Sequence, residues 1–404
     1  MKMKRLTLPV VLFIFLIVVA FPVVAAPVPG VDDKTIKIGI LTDFSGPGKH
    51  PGTEIYQATK VWVDYVNDQG GIHSRKLELY YGDHGWDPSR GMAEAKRLVS
   101  QYDVFMFINT CGSSVNNAVI PFIQKEQIPS VGPMAVSKLL YDPPQKYVFY
   151  TLTDTDRLFQ VLFDYIIFDL KEKKPKVGII YQDDEWGKDG LRGVQTGAKK
   201  HGITLVAEES YKRGSVDFAS QVLNCKRAGA DYVFHPGFSA ALAGLYQEAS
   251  KIGYKPLFFG ETGCMTFTTL KLGGHLAKDQ LFGYPCSVDG DKGIGMAKLK
   301  EIARKYRPKV DANYKPEDPL DPNYIIGYVS GLLTEQALRD CGRDITREKF
   351  VTAMENLKNF DTGGIFGPIT YGAGNRDGAG WTRVFKADPE KMLFIPISDF
   401  RKPK

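Results

Sequence analysis

Hydroxyl, acidic and aromatic residues follow the apolar runs of this chain, at the points where buried strands would end. In an open α/β sheet, ligands bind at these carboxyl ends, where helix N-termini offer free N–H groups. The residues that this rule selects are Ser45, Ser113, Ser114, Ala135, Ser137, Trp186, Phe238, Ser239 and Glu261. Ser113 and Ser114 suit a carboxylate, and Glu261 could accept a hydrogen bond from an ammonium group. Trp186 and Phe238 could close over an apolar side chain.

Each of these residues also has a purely structural interpretation. Ser113 and Ser114 have the residue type of helix N-caps. Glu261 could be a solvated loop acid, and Trp186 could be ordinary packing. His235 ends a strand near the same edge, and we interpret it as structural.

Catalytic motifs are missing from the sequence. It contains no Gly-x-Ser-x-Gly elbow, no Walker-type phosphate loop and no His-Glu-x-x-His pair. The six histidines are scattered without metal-ligand spacing. Asp183, Asp184 and Glu185 are adjacent, but no nucleophile or base accompanies them. We therefore expect a binding protein rather than an enzyme, with no metal and no cofactor.

The positions of the candidate residues depend on a repeated α/β plan. An apolar run followed by a polar loop with glycine occurs at Ile36–Gly46 and again at Lys176–Gly187. The first set of predicted strands is Ile36–Leu41, Leu77–Tyr81, Val104–Ile108, Ile128–Val131 and Tyr147–Tyr150. The second set is Val177–Tyr181, Thr204–Ala207, Tyr232–His235, Leu257–Phe259 and Leu281–Tyr284. Helical patterns alternate with these runs, which predicts two parallel sheets covered by helices on both faces.

The helix predictions are as follows. Apolar spacing predicts helices around Ile55–Tyr65, over Met92–Ser100, Ser114–Glu126 and Ser239–Ile252, and later over Gly295–Tyr306, Asn323–Arg339 and Thr346–Leu357. Ser239 is the expected cap of its helix. Gly363–Tyr371 is predicted as a strand. The glycine-rich run Gly372–Gly380 is predicted as a hairpin tip between Ile369 and Val384.

The N-terminus predicts a secretory signal peptide. Lys2, Lys4 and Arg5 precede the apolar core Leu6–Ala20, and we place cleavage after Ala25. The alternative, an uncleaved anchor helix, would need a longer apolar run. Cleavage would leave 379 residues and lower the net charge from +6 to +3. This length suits two domains, and without a basic run there is no sign of nucleic-acid binding.

Export would permit disulfides among the five cysteines. The odd number leaves at least one thiol free, and Cys264 with Cys286 is the expected pair because they are near in sequence. The remaining cysteines are expected to be buried free thiols.

A family resemblance covers essentially the whole mature chain. The chain resembles substrate-binding proteins of ABC importers in the branched-chain amino acid group, which have the type I periplasmic binding fold. The segments that carry this resemblance are IKIGILTDFSG (36–46), YVNDQGGIHSRKLELYYGD (65–83), CGSSVNNAVIPFIQKEQIPSVGP (111–133), YVFYTLTDTD (147–156), VGIIYQDDEWGKDG (177–190), DYVFHPGFSAALAGLYQEASKIGYKP (231–256) and FFGETG (258–263).

The resemblance implies two doubly wound α/β lobes joined by three hinge crossings, with the ligand held between them. Lobe I would comprise residues 26–152 and 285–362, and lobe II residues 153–284 and 363–404. The crossings would lie near Thr151–Thr153, Pro285 and Asp361–Phe366. The implied partner is a membrane permease, and we expect a periplasmic monomer. A sensor of the same fold and an exported α/β enzyme are the alternatives.

The resemblance also assigns roles within the site. The serine pair Ser113-Ser114 would hold the ligand carboxylate, and Met134–Ser137 would add further contacts. Trp186 would pack on the ligand, and Glu261 would receive its α-ammonium. Trp186 stands where the family more often has tyrosine, and Lys49 and His50 replace small residues. The implied ligand is therefore an amino acid or a related carboxylate, with aromatic and other organic acids as alternatives.

Overall fold

The computed structural model describes residues 27–404. The predicted signal peptide lies outside the described residues. The strands are β1 (Thr35–Thr42), β2 (Lys76–Asp83), β3 (Met106–Ile108), β4 (Ser130–Val131), β5 (Val148–Phe149), β6 (Val177–Gln182), β7 (Ala207–Tyr211), β8 (Tyr232–His235), β9 (Leu257–Gly260), β10 (Leu281–Tyr284), β11 (Arg383–Asp388) and β12 (Leu393–Pro396). The helices are α1 (Lys49–Asp68), α2 (Pro88–Tyr102), α3 (Ser113–Lys125), α4 (Thr155–Phe168), α5 (Glu185–Lys200), α6 (Ala219–Ala228), α7 (Ser239–Lys251), α8 (Phe267–Gly273), α9 (Ile294–Tyr306), α10 (Pro322–Asp340) and α11 (Arg347–Glu355).

Two sheets share one strand order. The first sheet runs β2-β1-β3-β4-β5, and the second runs β7-β6-β8-β9-β10 before continuing to β11 and β12. All strands of the first sheet are parallel, as are the first five of the second. We call the body around the first sheet lobe I and the body around the second lobe II. The repeated plan and the predicted fold class are confirmed.

The end of the second sheet differs from the prediction. β11 pairs antiparallel with β10 and β12, so this sheet is not purely parallel. The predicted hairpin between Ile369 and Val384 is wrong, because Val384 lies opposite Gly283 of β10 while Ile369 bridges Phe360. The predicted strand over Gly363–Tyr371 is wrong as well, since this segment forms only isolated bridges.

Two local predictions, the bounds of one strand and the cap of one helix, differ from the structure. The strand predicted at Thr204–Ala207 is β7, which begins three residues later, and its side chains alternate between partly buried and exposed up to the buried Tyr211. This alternation fits an edge strand, whereas the apolar Ile203 and Leu205 pack on the core from a loop. The predicted capping role of Ser239 is also wrong. Phe238 occupies the N-cap position, and Ser239 is the first residue of α7.

Three chain segments connect the sheets. Residues 151–153 lie between β5 and α4, and Cys286 follows β10 and bridges Phe366. The Gly378 N–H donates to the Tyr150 carbonyl at 2.8 Å, which attaches the glycine-rich run to lobe I. We therefore propose that the third crossing lies at residues 380–382 rather than near Asp361–Phe366. Residues 363–379 would then belong to lobe I.

Arg376 fixes the glycine-rich run to lobe I. It is 2% exposed, and its guanidinium lies 4.7 Å from the Phe149 ring centre. The guanidinium donates to the carbonyls of Lys146 (2.8 Å) and Gly372 and to the carboxylate of Glu355 (2.6 Å). The glycine-rich run therefore has a structural role, because its buried arginine attaches it to lobe I.

Replacing this arginine tests its contribution to stability. We expect Arg376→Met to lower the free energy of unfolding by about 3 kcal/mol, because Glu355 and several carbonyls lose a buried partner. Denaturant unfolding measures the change. The control is Arg339→Met, which removes only an exposed pair with Glu335 and should cost about 0.5 kcal/mol. Equal losses in the two variants would contradict the structural role.

Candidate functional site

A cavity lies between the lobes, at the carboxyl ends of both sheets. Residues from lobe I and lobe II line it together, and its volume is about 60 Å³. The walls are mainly apolar, with Ser113 and Asn323 on one side and Glu261 and Thr262 on the other. The cavity is small, although it has room for ordered water.

Lobe I presents a helix N-terminus to this cavity. Gly112 precedes α3 with φ of 91°, and no side chain caps the helix. The first backbone N–H groups of a helix lack partners within it and carry partial positive charge. The Ser113 hydroxyl accepts from the Val136 N–H at 3.2 Å, which leaves its own proton free to donate. This edge suits a carboxylate.

Lobe II presents a buried acid. Glu261 follows β9 and is 0% exposed, so the solvated-loop interpretation is wrong. Its Oε1 accepts from the Gly263 N–H at 2.9 Å, whereas its buried Oε2 has no partner among the described residues. Burial raises the pKa of Glu261 to about 8, although the nearby polar groups of Gly263, Thr262 and Gly237 lower it. The free oxygen can receive a cationic donor.

Three aromatic rings close the cavity. Phe238 lies edge-on to Trp186 at 4.8 Å and to Trp86 at 5.3 Å between ring centres. Trp86 belongs to lobe I and Phe238 to lobe II, so the lobes are closed on each other. Trp86 has φ of 62°, and side chains at Gly48 or Gly112 would meet its ring at 2.4 and 3.4 Å. The indole therefore packs closely against both glycines.

The cavity gathers six of the ten predicted residues: Ser113, Met134, Ala135, Trp186, Phe238 and Glu261. Their role in ligand binding stays a prediction. The N-cap interpretation of the two serines is wrong, because both lie inside α3 after Gly112.

The other four predicted residues do not line the cavity. Exposed Ser45 donates to Asp83 at 2.7 Å, and Ser239 shares a 2.7 Å hydrogen bond with Thr266. Ser114 is half-buried and Ser137 is buried, each beside a neighbour that does line the cavity. Successive residues point to different sides of a helix or an extended loop, so sequence adjacency alone did not separate these pairs.

Several cavity residues were not predicted. Trp86 follows β2, so the rule of strand carboxyl ends would have selected it. Ile55 comes from the second turn of α1, Asn323 from the first turn of α10, and Leu152 from the first crossing. No sequence signal marks Leu152. Lys49 and His50, which replace small residues of the family, do not line the cavity. His50 instead pairs with Asp321 at 3.1 Å.

The cysteines form no disulfide, so the predicted Cys264–Cys286 pair is wrong. The Cys264 thiol instead donates to the Gly237 carbonyl at 3.0 Å, and Cys286 is buried at the second crossing. Within residues 27–404, no group of three or more His, Cys, Asp or Glu side chains could hold a metal ion. No helix in this range is long and apolar enough to cross a membrane.

Larger depressions open elsewhere on the surface. One of about 420 Å³ lies between Tyr246 and Gln280, and another of about 570 Å³ lies around Cys341 and Thr352. Both lie away from the strand carboxyl ends. The smaller cleft cavity is the candidate site because it alone of the three combines a buried acid with a helix N-terminus.

The fold and this cleft define a two-lobed α/β binding protein. A model of the periplasmic binding protein family matches residues 35–390, so the chain belongs to that family. Leu/Ile/Val-binding protein homolog 8 of Brucella abortus (strain 2308) is 27% identical over 330 residues, which is 80% of each chain. The resemblance to this family is confirmed.

Solved structures share the fold. A branched-chain amino acid ABC transporter protein from Thermus thermophilus, solved with bound valine, has a TM-score of 0.80 and 20% identity, covering 91% of this chain and 96% of its own. A fatty acid ABC transporter substrate-binding protein from Thermomonospora curvata also has a TM-score of 0.80, with 24% identity and coverage of 93% and 95%. These two proteins have different ligands, so fold similarity leaves the ligand of this chain open.

Proposed function

We propose that this protein is the solute receptor of an ABC importer and binds an amino acid with a small aliphatic side chain. The observation that carries the proposal is the unpartnered, fully buried Oε2 of Glu261 in the same cavity as the N-terminus of α3. A zwitterion would place its ammonium at Glu261 and its carboxylate at Ser113. Each charge would then receive an opposite partner when water is excluded, which a buried charge requires.

The binding motion would be closure of the hinge. A ligand held first by one lobe gains the contacts of the other on closing, so the closed form is stabilised by that difference in affinity. Trp86 and Phe238 come from different lobes, so their rings are in contact only when the lobes are closed. This closed form would be the one presented to a membrane permease.

The size of the cavity supports a short side chain. A cavity this small suits a small aliphatic side chain better than an aromatic one. The ring contacts of Trp86, Phe238 and Trp186 form its apolar wall. The valine bound in the Thermus thermophilus neighbour is a zwitterion with a small aliphatic side chain.

A short organic acid is the second candidate, and the raised pKa of Glu261 favours it. With a pKa of about 8, the empty site would hold Glu261 protonated at neutral pH. A neutral carboxylic acid can donate a hydrogen bond to a ligand carboxylate, so repulsion would not exclude such a ligand. The fatty acid receptor of Thermomonospora curvata shows that this fold also serves acids without an amine.

Family membership supports a location outside the cytoplasm, and the predicted signal peptide would bring the protein there. We propose a monomer that delivers its ligand to a permease. A sensor would use the same cleft, and the genes beside this one would distinguish the two, since a transporter requires a permease and an ATPase.

A thermal-shift screen tests the ligand class. The panel comprises small aliphatic and aromatic amino acids, amides, and short and long organic acids. A ligand at 100 times its dissociation constant adds about 2.7 kcal/mol to the free energy of unfolding. We expect shifts with small aliphatic amino acids. Shifts confined to acids without an amine would select the second candidate, and turnover of any ligand would contradict a receptor.

The two adjacent serines provide a matched test of the carboxylate position. We expect Ser113→Ala to weaken ligand binding about tenfold, because the ligand loses a donor and the Val136 N–H loses its acceptor. Ser114→Ala should leave affinity unchanged, since this residue does not line the cavity. Calorimetric titration measures both. Equal effects of the two substitutions would contradict the placement of the carboxylate.

A further inference from the structure

Positive charge is concentrated on one face of lobe II. Three segments, residues 164–176, 199–201 and 401–404, carry nine basic and three acidic side chains, a net charge of +6. The other described residues carry 40 basic and 43 acidic side chains, a net charge of −3. We call these three segments the basic face. The protein is therefore electrically polarised, although its overall charge is small.

Direct contacts hold the three segments together. The backbone N–H of Lys404 donates to Asp164 at 2.7 Å, and Arg401 pairs with Asp169 at 2.8 Å. His201 also contacts Asp164, at 2.7 Å. Two of the three acids are thus engaged inside the basic face. Asp164 also pairs with Lys200 at 3.4 Å, and the other lysines of the face have no ion pair with these two acids.

The remaining charges are free lysines. Within the basic face, the exposed lysines without an ion-pair partner among the described residues are Lys171, Lys173, Lys174, Lys176, Lys199, Lys402 and Lys404. The only arginine of the face, Arg401, is already paired. Lysine acts as a flexible, hydrated point charge, whereas arginine recognises single anions by a fixed two-point geometry. This composition suits an extended anionic surface better than one bound anion.

Two apolar side chains stand among these lysines. Phe168 is 44% exposed and Leu170 is 37% exposed, and the Lys404 ammonium lies 3.9 Å from the Phe168 ring centre. Exposed aromatic and aliphatic residues flanked by lysine are typical of proteins that rest on a lipid surface, where the rings enter the headgroup layer.

We propose that the basic face binds the anionic headgroup layer of a phospholipid membrane. Lys176 directly precedes β6, whereas the cleft lies beyond its carboxyl end. Six residues of strand separate the two by roughly 20 Å, so the cleft stays open to its ligand on a bound protein. Membrane contact would keep the receptor near a membrane-embedded partner. The contact does not depend on the identity of the ligand.

Vesicle sedimentation tests the proposal. Vesicles of one part phosphatidylglycerol to three parts phosphatidylcholine should sediment the protein at low salt and release it at high salt, and pure phosphatidylcholine vesicles should not sediment it. Each lysine near an anionic surface contributes about a fivefold gain in binding. The triple variant Lys171→Gln, Lys173→Gln, Lys174→Gln should therefore bind roughly 100-fold more weakly.

The matched control removes three lysines elsewhere. Lys34, Lys96 and Lys315 are exposed, unpaired among the described residues and outside the basic face, and changing them to Gln should leave vesicle binding unchanged. Phe168→Ser should weaken binding several-fold at constant charge. Ligand affinity and unfolding midpoints should match those of the parent protein. The proposal is overturned if the parent does not bind anionic vesicles, if both triple variants weaken equally, or if only a soluble polyanion such as heparin binds.

Discussion

Glu261→Gln should weaken the binding of an amino acid by roughly 30-fold to several thousand-fold. Truncating or neutralising one member of a buried charge pair costs about 2–5 kcal/mol, much of it from the unpaired charge that remains. Here the remaining charge would be the ligand ammonium, enclosed by Trp186 and Phe238. Calorimetric titration of the parent and the variant measures the loss.

The fold should tolerate this substitution. Glutamine has the shape of glutamic acid, and Glu261 is mainly protonated at neutral pH because burial raises its pKa to about 8. Glu185→Gln is the matched control, since Glu185 is exposed on the same lobe and does not line the cavity. Unchanged affinity in Glu261→Gln would contradict the placement of the ligand ammonium at Glu261 and would favour an organic acid as the ligand.

Trp86→Ala should change which side chains the cleft accepts. The indole forms part of the wall and packs closely against Gly48 and Gly112. A difference of one methylene in an apolar pocket changes affinity about 10- to 200-fold. We therefore expect the affinity ratio of a small aliphatic to an aromatic amino acid to fall at least about tenfold. Competition titrations with both ligands measure this ratio.

Two further variants separate size selection from loss of stability. Truncating a buried tryptophan costs about 3–5 kcal/mol of folding free energy, so Trp86→Phe provides a milder change with the same direction of effect. Trp62→Phe is the control, because Trp62 is fully buried against Gly331 and does not line the cavity. If all three variants keep the parent's affinity ratio, Trp86 does not select the ligand.

The repeated plan could be predicted because its signals are local. Apolar runs of β-branched residues that end in glycine-containing loops marked β1 and β6, and helical spacing marked α7, α9 and α10. The end of the second sheet could not be predicted in this way. β11 is fixed by pairing with β10, about 100 residues earlier in the chain, and the run Gly372–Gly380 is fixed by buried Arg376.

The site residues that could be predicted are those that the carboxyl end of a strand places at the cleft. Glu261 and Ser113 directly follow strands or begin helices at the carboxyl edge, so one topological rule placed them. Ser45 and Ser239 satisfy the same rule, but their hydroxyls are used by Asp83 and Thr266. Such local hydrogen bonds depend on side-chain directions that spacing does not encode. Trp86 is the opposite case. It follows β2, so the rule of strand carboxyl ends applies to it, but it is not among the predicted residues.

The number of protons released on binding tests the central claim most directly. The measurement is calorimetric titration of the ligand at pH 7 in two buffers that differ in ionisation enthalpy. An ammonium requires ionised Glu261, whose pKa of about 8 in the empty cleft leaves it mainly protonated at pH 7. We therefore predict release of about 0.9 proton per ligand, with affinity rising about tenfold per pH unit up to pH 8. Glu261→Gln should abolish the release. No release, with affinity that falls as pH rises through 8, would show that protonated Glu261 binds an organic acid and would contradict the amino acid assignment.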